Sequence, residues 1–277
     1  MTMDLRTKRI VIFILGALTA LSPFSIDMYL PAFPQIANDF GTTVANVSLS
    51  LSSYFVGLAF GQLIYGPLLD RFGRKKPLYA GLSIYFFASL GCLFTGSIES
   101  LVILRLIQAL GGCVAGVASM AVVRDLFTMQ ESAKVYSLLI LILGASPMLA
   151  PTTGGYLATA FGWHSVFIVL AVMSALMMIV VATILPESHK PDESVSLKVR
   201  PIFRGFRLIF QEPQFYTYVL SGAVAFSGLF AYLAGSPVIF MKVFAVSAQT
   251  YGWMFAIIAA GLIGASQVNV LLLKRFT

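Results

Sequence analysis

The 277-residue sequence is 58% hydrophobic, only 10% of its residues are charged, and its formal net charge is +7. A soluble domain usually contains about 25% charged residues, so the composition excludes an ordinary soluble protein and indicates a membrane protein. The two cysteines and two histidines form no spacing typical of a metal site or a disulfide framework. Neither a metal nor a cofactor is predicted, and the sequence carries no nucleophile–base pattern that would indicate an enzyme.

Eight apolar segments are each long enough to cross a bilayer as a helix. In chain order they are 10–30, 46–69, 77–97, 101–123, 135–158, 164–185, 214–235 and 250–273. Because backbone polar groups in lipid must be satisfied within the segment, the predicted fold is an all-α, polytopic membrane bundle.

The positive charges are distributed unevenly between the two sides of this bundle. If the loops alternate across the membrane, 16 of the 18 Lys and Arg residues lie on one side. Lys242 lies on the other side, and Arg105 lies within the fourth segment. The positive-inside rule then places both termini in the cytoplasm. Topology thus accounts for the basic surplus, and no nucleic-acid partner is predicted.

A polar, charged stretch separates two groups of apolar segments. It predicts a six-helix bundle over 1–186, a cytoplasmic linker over 187–213 and a partial second bundle of two helices over 214–277. Within the linker, a short amphipathic helix is predicted around Ile202–Phe210, on the membrane surface.

A weak internal repeat predicts a longer parent architecture. A shift of 204 residues aligns LLDRF at 68–72 with LLKRF at 272–276, which suggests a duplicated six-helix unit. Two such units require twelve helices, so eight are expected in this chain and four C-terminal helices are expected to be absent.

Four motifs in order resemble those of a known family. GPLLDRFGRKKPL at 66–78 resembles the loop motif between the second and third helices of the major facilitator superfamily. SPFSIDMYLPAFPQI at 22–36 is similar to the Bcr/CflA group of bacterial drug:proton antiporters, RLIQALGG at 105–112 resembles the superfamily's RxxQGxG pattern with Ala109 at the first glycine, and GASPMLAPTTGGYL at 144–157 resembles its antiporter motif. The resemblance implies drug export driven by protons across the bacterial inner membrane.

Asp27 is the first predicted proton-coupling residue. It follows an apolar run and precedes Pro31 and Pro34. An ionisable group within a membrane span is costly and usually functional, and low-dielectric surroundings favour its neutral form. Asp27 is therefore predicted to bind and release a proton; the alternative is a solvated cap at the periplasmic end of its helix.

Arg105 is the second charge within a predicted span, about one turn from its outer boundary. The resemblance implies that this arginine takes part in proton coupling, and the alternative is a structural or snorkelling arginine. Gln108 lies one turn further along the same helix face and is predicted to orient Arg105.

The abundant aromatic residues suggest how a drug would be bound. A broad apolar cavity accepts varied lipophilic compounds with little selection by hydrogen bonds. The residues predicted to contact a small-molecule drug are Tyr29, Tyr54, Gln108, Phe226 and Phe230. For each aromatic residue the alternative is simple packing or, for Tyr29, anchoring at the membrane interface.

Two groups of residues are predicted to control conformational gating. The first, around the charged loop, is Gly66, Asp70, Arg71, Gly73, Arg74 and Asp125. The resemblance implies an ion pair between Asp125 and Arg74 or Arg71, and a contact of Asp70 with a helix of the second bundle; the alternative is that this cluster only orients the chain. The second group is Gly144, Pro147, Pro151, Gly154 and Gly155, in which proline bends the helix and glycine permits close approach.

The leading functional prediction is proton-coupled efflux of small lipophilic drugs. The first alternative is a metabolite exporter of the same superfamily. The second is a membrane-inserted, transport-inactive fragment, because alternating access needs two bundles around a midplane site. The predicted partners are the lipid bilayer, protons and the drug.

Overall fold

The fold consists of long helices joined by short loops. The computed structural model describes residues 4–247, 249–258, 260–261 and 264. Its α-helices are α1 (Leu5–Asp27), α2 (Phe33–Asp39), α3 (Val44–Phe72), α4 (Lys75–Leu93), α5 (Ile98–Leu126), α6 (Met129–Phe161), α7 (His164–Thr183), α8 (Val199–Ile209) and α9 (Pro213–Pro237). A 3-10 turn over Leu30–Ala32 joins α1 to α2, a π-helical turn over Val238–Val243 follows α9, and residues 249–258 are helical. No strand occurs in this described part, and the all-α prediction is confirmed.

Many of the helices are suited to a bilayer. Within the described residues, five segments are long and apolar enough to cross a membrane: Leu5–Asp39, Val44–Phe72, Ile98–Leu126, Met129–Phe161 and His164–Thr183. Helices α4 and α9 lie at the third and seventh predicted spans, and helical residues begin the eighth. The number of crossings stays a prediction, and the repeat motif at 272–276 lies outside the described residues.

Local sequence signals explain where the long helices begin. Thr43 and Ser97 each accept a hydrogen bond from the backbone amide three residues on, at the starts of α3 and α5. Thr128 and Glu131 form a reciprocal capping box at the start of α6. Gly73 turns the chain between α3 and α4 with a φ of 82°, a conformation that side chains with a Cβ rarely adopt.

The bundle has polar groups inside and large apolar side chains outside. Arg74, Arg105 and Asp27 are at most 2% exposed, whereas Phe13 is 78% exposed and Phe87 is 68% exposed. The core also contains many apolar side chains, but large apolar side chains exposed in such number are unusual in a soluble protein. This distribution fits a chain whose outer surface contacts lipid.

Helix α5 lies at the centre of the bundle, between α3 and α4, while α4 also packs on α7 and α1 packs on α6. Glycine makes the central contact close. A Cβ atom at Gly111 would lie only 2.6 Å from the carbonyl oxygen of Gly81. The glycines that end the RLIQALGG motif therefore serve to pack α5 on α4, and this packing holds Arg105 at a fixed place in the bundle.

Candidate functional site

Asp27 occupies a break in the first apolar segment. It is the last residue of α1, and the chain continues through Met28 into the 3-10 turn that contains Pro31. The residue is only 2% exposed, and its Oδ1 atom accepts no hydrogen bond from the described residues. Asp27 thus lies at the end of a helix, which agrees with the alternative that it is a helix cap, but it is buried and not exposed to solvent, which that alternative also assumed.

Groups distant in sequence surround this carboxyl. A Cβ atom at Gly154 of α6 would collide with the backbone of Met28. Thr152 donates a hydrogen bond of 3.3 Å to the carbonyl of Gly252, in the helical segment 249–258. The buried Tyr251 interacts electrostatically with Asp27, and its hydroxyl lies 2.7 Å from the hydroxyl of Ser236. Asp27 is therefore located where α1, α6 and the segment after α9 meet.

Arg105 is completely buried in the middle of the bundle, about two turns into α5. Its guanidinium carbon lies 4.2 Å from the ring centroid of Tyr54 and 4.6 Å from that of Tyr29. Its Nη2 atom donates a 2.9 Å hydrogen bond to the carbonyl of Ser25, and its Nη1 atom donates to Oε1 of Gln108. Because Arg105 is buried, its side chain does not reach the membrane interface, and the snorkelling alternative is excluded. The structural alternative stays open.

The partners of Arg105 are themselves tied to the bundle. Gln108 donates from Nε2 to the hydroxyl of Ser89 at 2.7 Å. The Tyr29 hydroxyl lies 2.8 Å from the hydroxyl of Ser50, and the hydroxyl of Ser25 bonds that of Tyr85. The predicted contact of Gln108 with Arg105 is present, and the network joins α1, α3, α4 and α5.

Arg105 has no carboxylate partner among the described residues. Among the described residues the ion pairs are Lys8–Glu131, Arg74–Asp70 and Arg74–Asp125. Within the described part of the chain, the buried Nε atom of Arg105 has no hydrogen-bond partner. Neutral oxygens and three aromatic rings, those of Tyr29, Tyr54 and Phe167, therefore surround the guanidinium, and its Nε atom remains an unused donor in low-dielectric surroundings.

The charged loop forms a second, compact site. The side chain of Arg74 is 1% exposed, and it donates 2.7 Å hydrogen bonds to Asp70 and to Asp125. Burial alone would lower the pKa of Arg74, but the hydrogen bonds and charges of Asp125 and Asp70 outweigh it and raise that pKa. Of the two predicted partners of Asp125, Arg74 is the one that pairs with it. Asp70 contacts Arg74 within the same bundle.

The segment after α7 fastens this cluster. The carboxylate of Glu187 accepts hydrogen bonds from the backbone amides of Arg74 at 2.7 Å and Lys75 at 3.1 Å. Ser188 donates to Asp125 at 3.0 Å. Arg71, the other candidate partner, donates instead to the backbone carbonyls of Glu193 and Val195.

The predicted gating residues of α6 lie on a helix that runs from Met129 to Phe161. Gly144 is half-buried, and Pro151, Gly154 and Gly155 are buried. The side chain of Pro147 lies outside what the structure describes. Gly66 on α3 has open space where a side chain would be, so its glycine is not required by packing in this conformation.

A cavity of about 740 Å³ is lined in part by Met28, the residue that follows Asp27. Aromatic, apolar and a few polar residues line it: Phe24, Met28, Thr152, Thr153, Tyr156, Leu157, Val169, Gln249 and Trp253. None of the residues predicted to contact the drug is in this lining. Tyr29, Tyr54 and Gln108 are fully buried around Arg105, and the side chains of Phe226 and Phe230 lie outside the described part.

Several residues of these sites were not predicted. Ser25 and Ser89 hold Arg105 and Gln108, Glu187 and Ser188 fasten the charged loop, and Tyr251 lies near enough to Asp27 to feel its charge. Serine inside an apolar span gives little signal, because it often bonds its own helix backbone. Glu187 directly follows Pro186 at the end of a span, and this position was its one visible sign.

Comparison with known proteins identifies the family. The model of the Major Facilitator Superfamily matches residues 15–276, so the chain belongs to this superfamily, and the predicted family is confirmed. Its known members are membrane transporters, and the chain is a multi-pass membrane protein.

Individual relatives carry names that refer to drug resistance. The chain is 34% identical over 260 residues to the bicyclomycin resistance protein homolog of Haemophilus influenzae, covering 94% of this chain and 65% of that protein. It is 28% identical to multidrug resistance protein D of Escherichia coli K12, covering 92% of this chain and 64% of that one. The chain thus spans slightly less than two thirds of the length of these relatives.

A solved structure has the same fold. A bacterial homolog of the human lysosomal transporter Spinster superposes with a TM-score of 0.77 at 18% identity, over 99% of this chain and 64% of that one. At this level of identity the likeness concerns the fold alone.

Proposed function

We propose that the chain forms part of a proton-coupled exporter of small lipophilic drugs in the inner membrane of a bacterium. The similarity to proteins named for bicyclomycin and multidrug resistance supports this proposal. The observation that carries it is Asp27, a carboxyl that is 2% exposed in a membrane-spanning segment and has an oxygen, Oδ1, that finds no partner among the described residues.

Asp27 is the proposed proton site. A buried carboxylate without a hydrogen-bond donor is costly, so the site favours the neutral acid and responds to the proton concentration that reaches it. Protonation from the periplasm disfavours a cationic or polar ligand and promotes its release. Loss of the proton toward the cytoplasm restores the charge and allows the next ligand to bind.

Arg105 is the proposed electrostatic partner in this cycle. Its Nη2 atom bonds the Ser25 carbonyl, only two residues before Asp27, so both groups act on the same turn of α1. A change in the charge of Asp27 alters the field at Arg105, whose Nε atom has no fixed partner. The two residues therefore provide a means of linking a proton to the position of α1.

The cavity lined in part by Met28 supports a role in binding lipophilic solutes. Phe24 and Met28, which flank Asp27, lie in its wall, and Trp253 lines it from the segment after α9. An apolar pocket with few polar groups selects by size and hydrophobicity. We propose this lining as the drug-contacting surface in the present conformation, with Tyr29, Tyr54 and Gln108 acting through Arg105.

The charged loop and α6 are the proposed gating elements. The Arg74 cluster fixes the ends of α3, α4 and α5. Gly154 permits the close approach of α6 to the end of α1, and Gly252 permits the close approach of segment 249–258 to α6. The division into a bundle over 1–186, a linker over 187–213 and a partial bundle over 214–277, with both termini in the cytoplasm, is part of the same proposal.

Transport by the full-length gene product in everted membrane vesicles tests this function. Asp27→Asn removes the titrating group with little change in shape, so proton-driven uptake of a lipophilic dye into these vesicles is expected to cease. Glu99→Gln is the matched control, because Glu99 is exposed near the start of α5, and it should transport normally. Normal proton-dependent uptake by Asp27→Asn would refute the proposed site.

A further inference from the structure

Helix α8 has two chemically distinct faces. Arg200, Arg204 and Arg207 recur at spacings of four and three residues, and Ile202, Phe206 and Ile209 repeat the same spacing two residues later. Two residues correspond to slightly more than half a helical turn, so the arginines and the apolar residues lie on opposite sides. Helix α8 contains no acidic residue.

The apolar face of α8 is only partly covered by the described protein: Ile202 and Phe206 are half-buried, whereas Ile209, at its end, and the following Phe210 are exposed. Ile209 is 47% exposed and Phe210 is 52% exposed. Arg204 and Arg207 are also exposed, and no described residue forms an ion pair with either of them. Both faces are therefore available to a partner that is apolar on one side and negatively charged on the other.

The short connection between α8 and α9 restricts where a partner of α8 can lie. Only residues 210–212 separate α8 from α9, which begins at Pro213 and contains no charged residue over 25 residues. Phe210 also packs against Phe215 of α9, with ring centroids 5.4 Å apart. A helix tied so closely to an apolar, membrane-length helix stays at the membrane surface.

We propose that α8 is a binding site for anionic lipid headgroups, with its apolar face in the headgroup boundary and its arginines on the phosphates. Interfacial helices with this division of charge bind bilayers in proportion to their apolar area and to the anionic lipid present. Because Phe210 packs against Phe215, a change in the position of α8 on the membrane also shifts the start of α9. This inference does not depend on drug efflux.

Hydrogen–deuterium exchange of the whole chain in lipid nanodiscs tests the proposal. Amides of α8 should exchange more slowly when phosphatidylglycerol is added to phosphatidylcholine. With three arginines near an anionic surface, the expected difference is about 10- to 100-fold in exchange rate. The triple variant Arg200→Gln, Arg204→Gln, Arg207→Gln should lose most of this difference.

A matched variant separates lipid recognition from a general charge effect. Arg6→Gln, Arg9→Gln, Lys76→Gln removes the same total charge from exposed positions outside α8, and it should keep the full protection. Equal exchange in the two kinds of nanodisc would overturn the proposal. The proposal would also be overturned if the amides of α8 stayed equally protected in the α8 triple variant. That result would show that the apolar face alone binds α8 to the membrane.

Discussion

Two buried arginines in this molecule are stabilised in opposite ways. Arg74 lies between the carboxylates of Asp70 and Asp125, so its charge is compensated by direct ion pairs. Arg105 has no carboxylate partner among the described residues; a carbonyl, an amide oxygen and three aromatic rings surround it. A paired charge holds a structure together, whereas a buried charge that is not neutralised responds to any new charge nearby. We therefore expect the Arg74 cluster to hold the charged loop of the proposed gate in place, and the Arg105 site to respond when the charge nearby changes.

The largest expected effect comes from replacing Arg105. Arg105→Ala removes the cation, and we expect drug transport by the full-length gene product to be abolished. Arg105→Lys keeps the charge but loses the planar group that bonds Ser25 and Gln108 simultaneously, so we expect only weak transport. Dye uptake in everted vesicles at equal protein levels is the measurement. Strong transport by Arg105→Ala would contradict the expectation that transport depends on the charge of Arg105.

The Arg74 cluster should instead be visible in stability. Arg74→Ala leaves Asp125, whose side chain is 11% exposed, without its ion pair. Breaking such a pair costs roughly 2–4 kcal/mol after allowance for the solvent that reaches Asp70. Thermal unfolding in detergent, followed by circular dichroism, measures this loss.

Arg71→Ala is the control for that loss. Arg71 bonds only backbone carbonyls of the linker in the described structure, and the expected cost is below about 1 kcal/mol. Equal destabilisation by the two substitutions would mean that the ion pairs of Arg74 contribute nothing specific.

A smaller effect is expected at Glu187. Its carboxylate accepts from the amides of Arg74 and Lys75 at the start of α4, which is the role of a helix cap. Glu187→Ala should cost about 1 kcal/mol and should speed hydrogen exchange at those two amides. Unchanged exchange at both amides would show that the segment after α7 does not fasten the charged loop.

The sequence predicted the helices well and the sites only in part. Apolar length and the basic loops determine the spans, because lipid imposes both constraints on any chain. The pairing of Asp125 was predicted with Arg74 and Arg71 as alternatives, and the structure selects Arg74. The short helix α2 was not predicted; Pro34 lies in its first turn, and Pro31 lies in the 3-10 turn before it.

The surroundings of Arg105 and Asp27 depend on contacts between distant parts of the chain. Ser25 lies 80 residues from Arg105, and Tyr251 lies in a different helix group from Asp27. No local pattern encodes such neighbours. The spacing of Arg105 and Gln108 on one helix face is local, and their predicted contact is present.

The burial of Asp27 is the basis of the proposed coupling, and proton release on drug binding measures it directly. In a weakly buffered detergent solution of the full-length gene product, binding of a cationic lipophilic dye should release about one proton per dye molecule, because binding favours the ionised form of one carboxyl. Asp27→Asn should release none. The same proton release from Asp27→Asn and the unaltered protein, at equal dye binding, would contradict the assignment of Asp27 as the proton site.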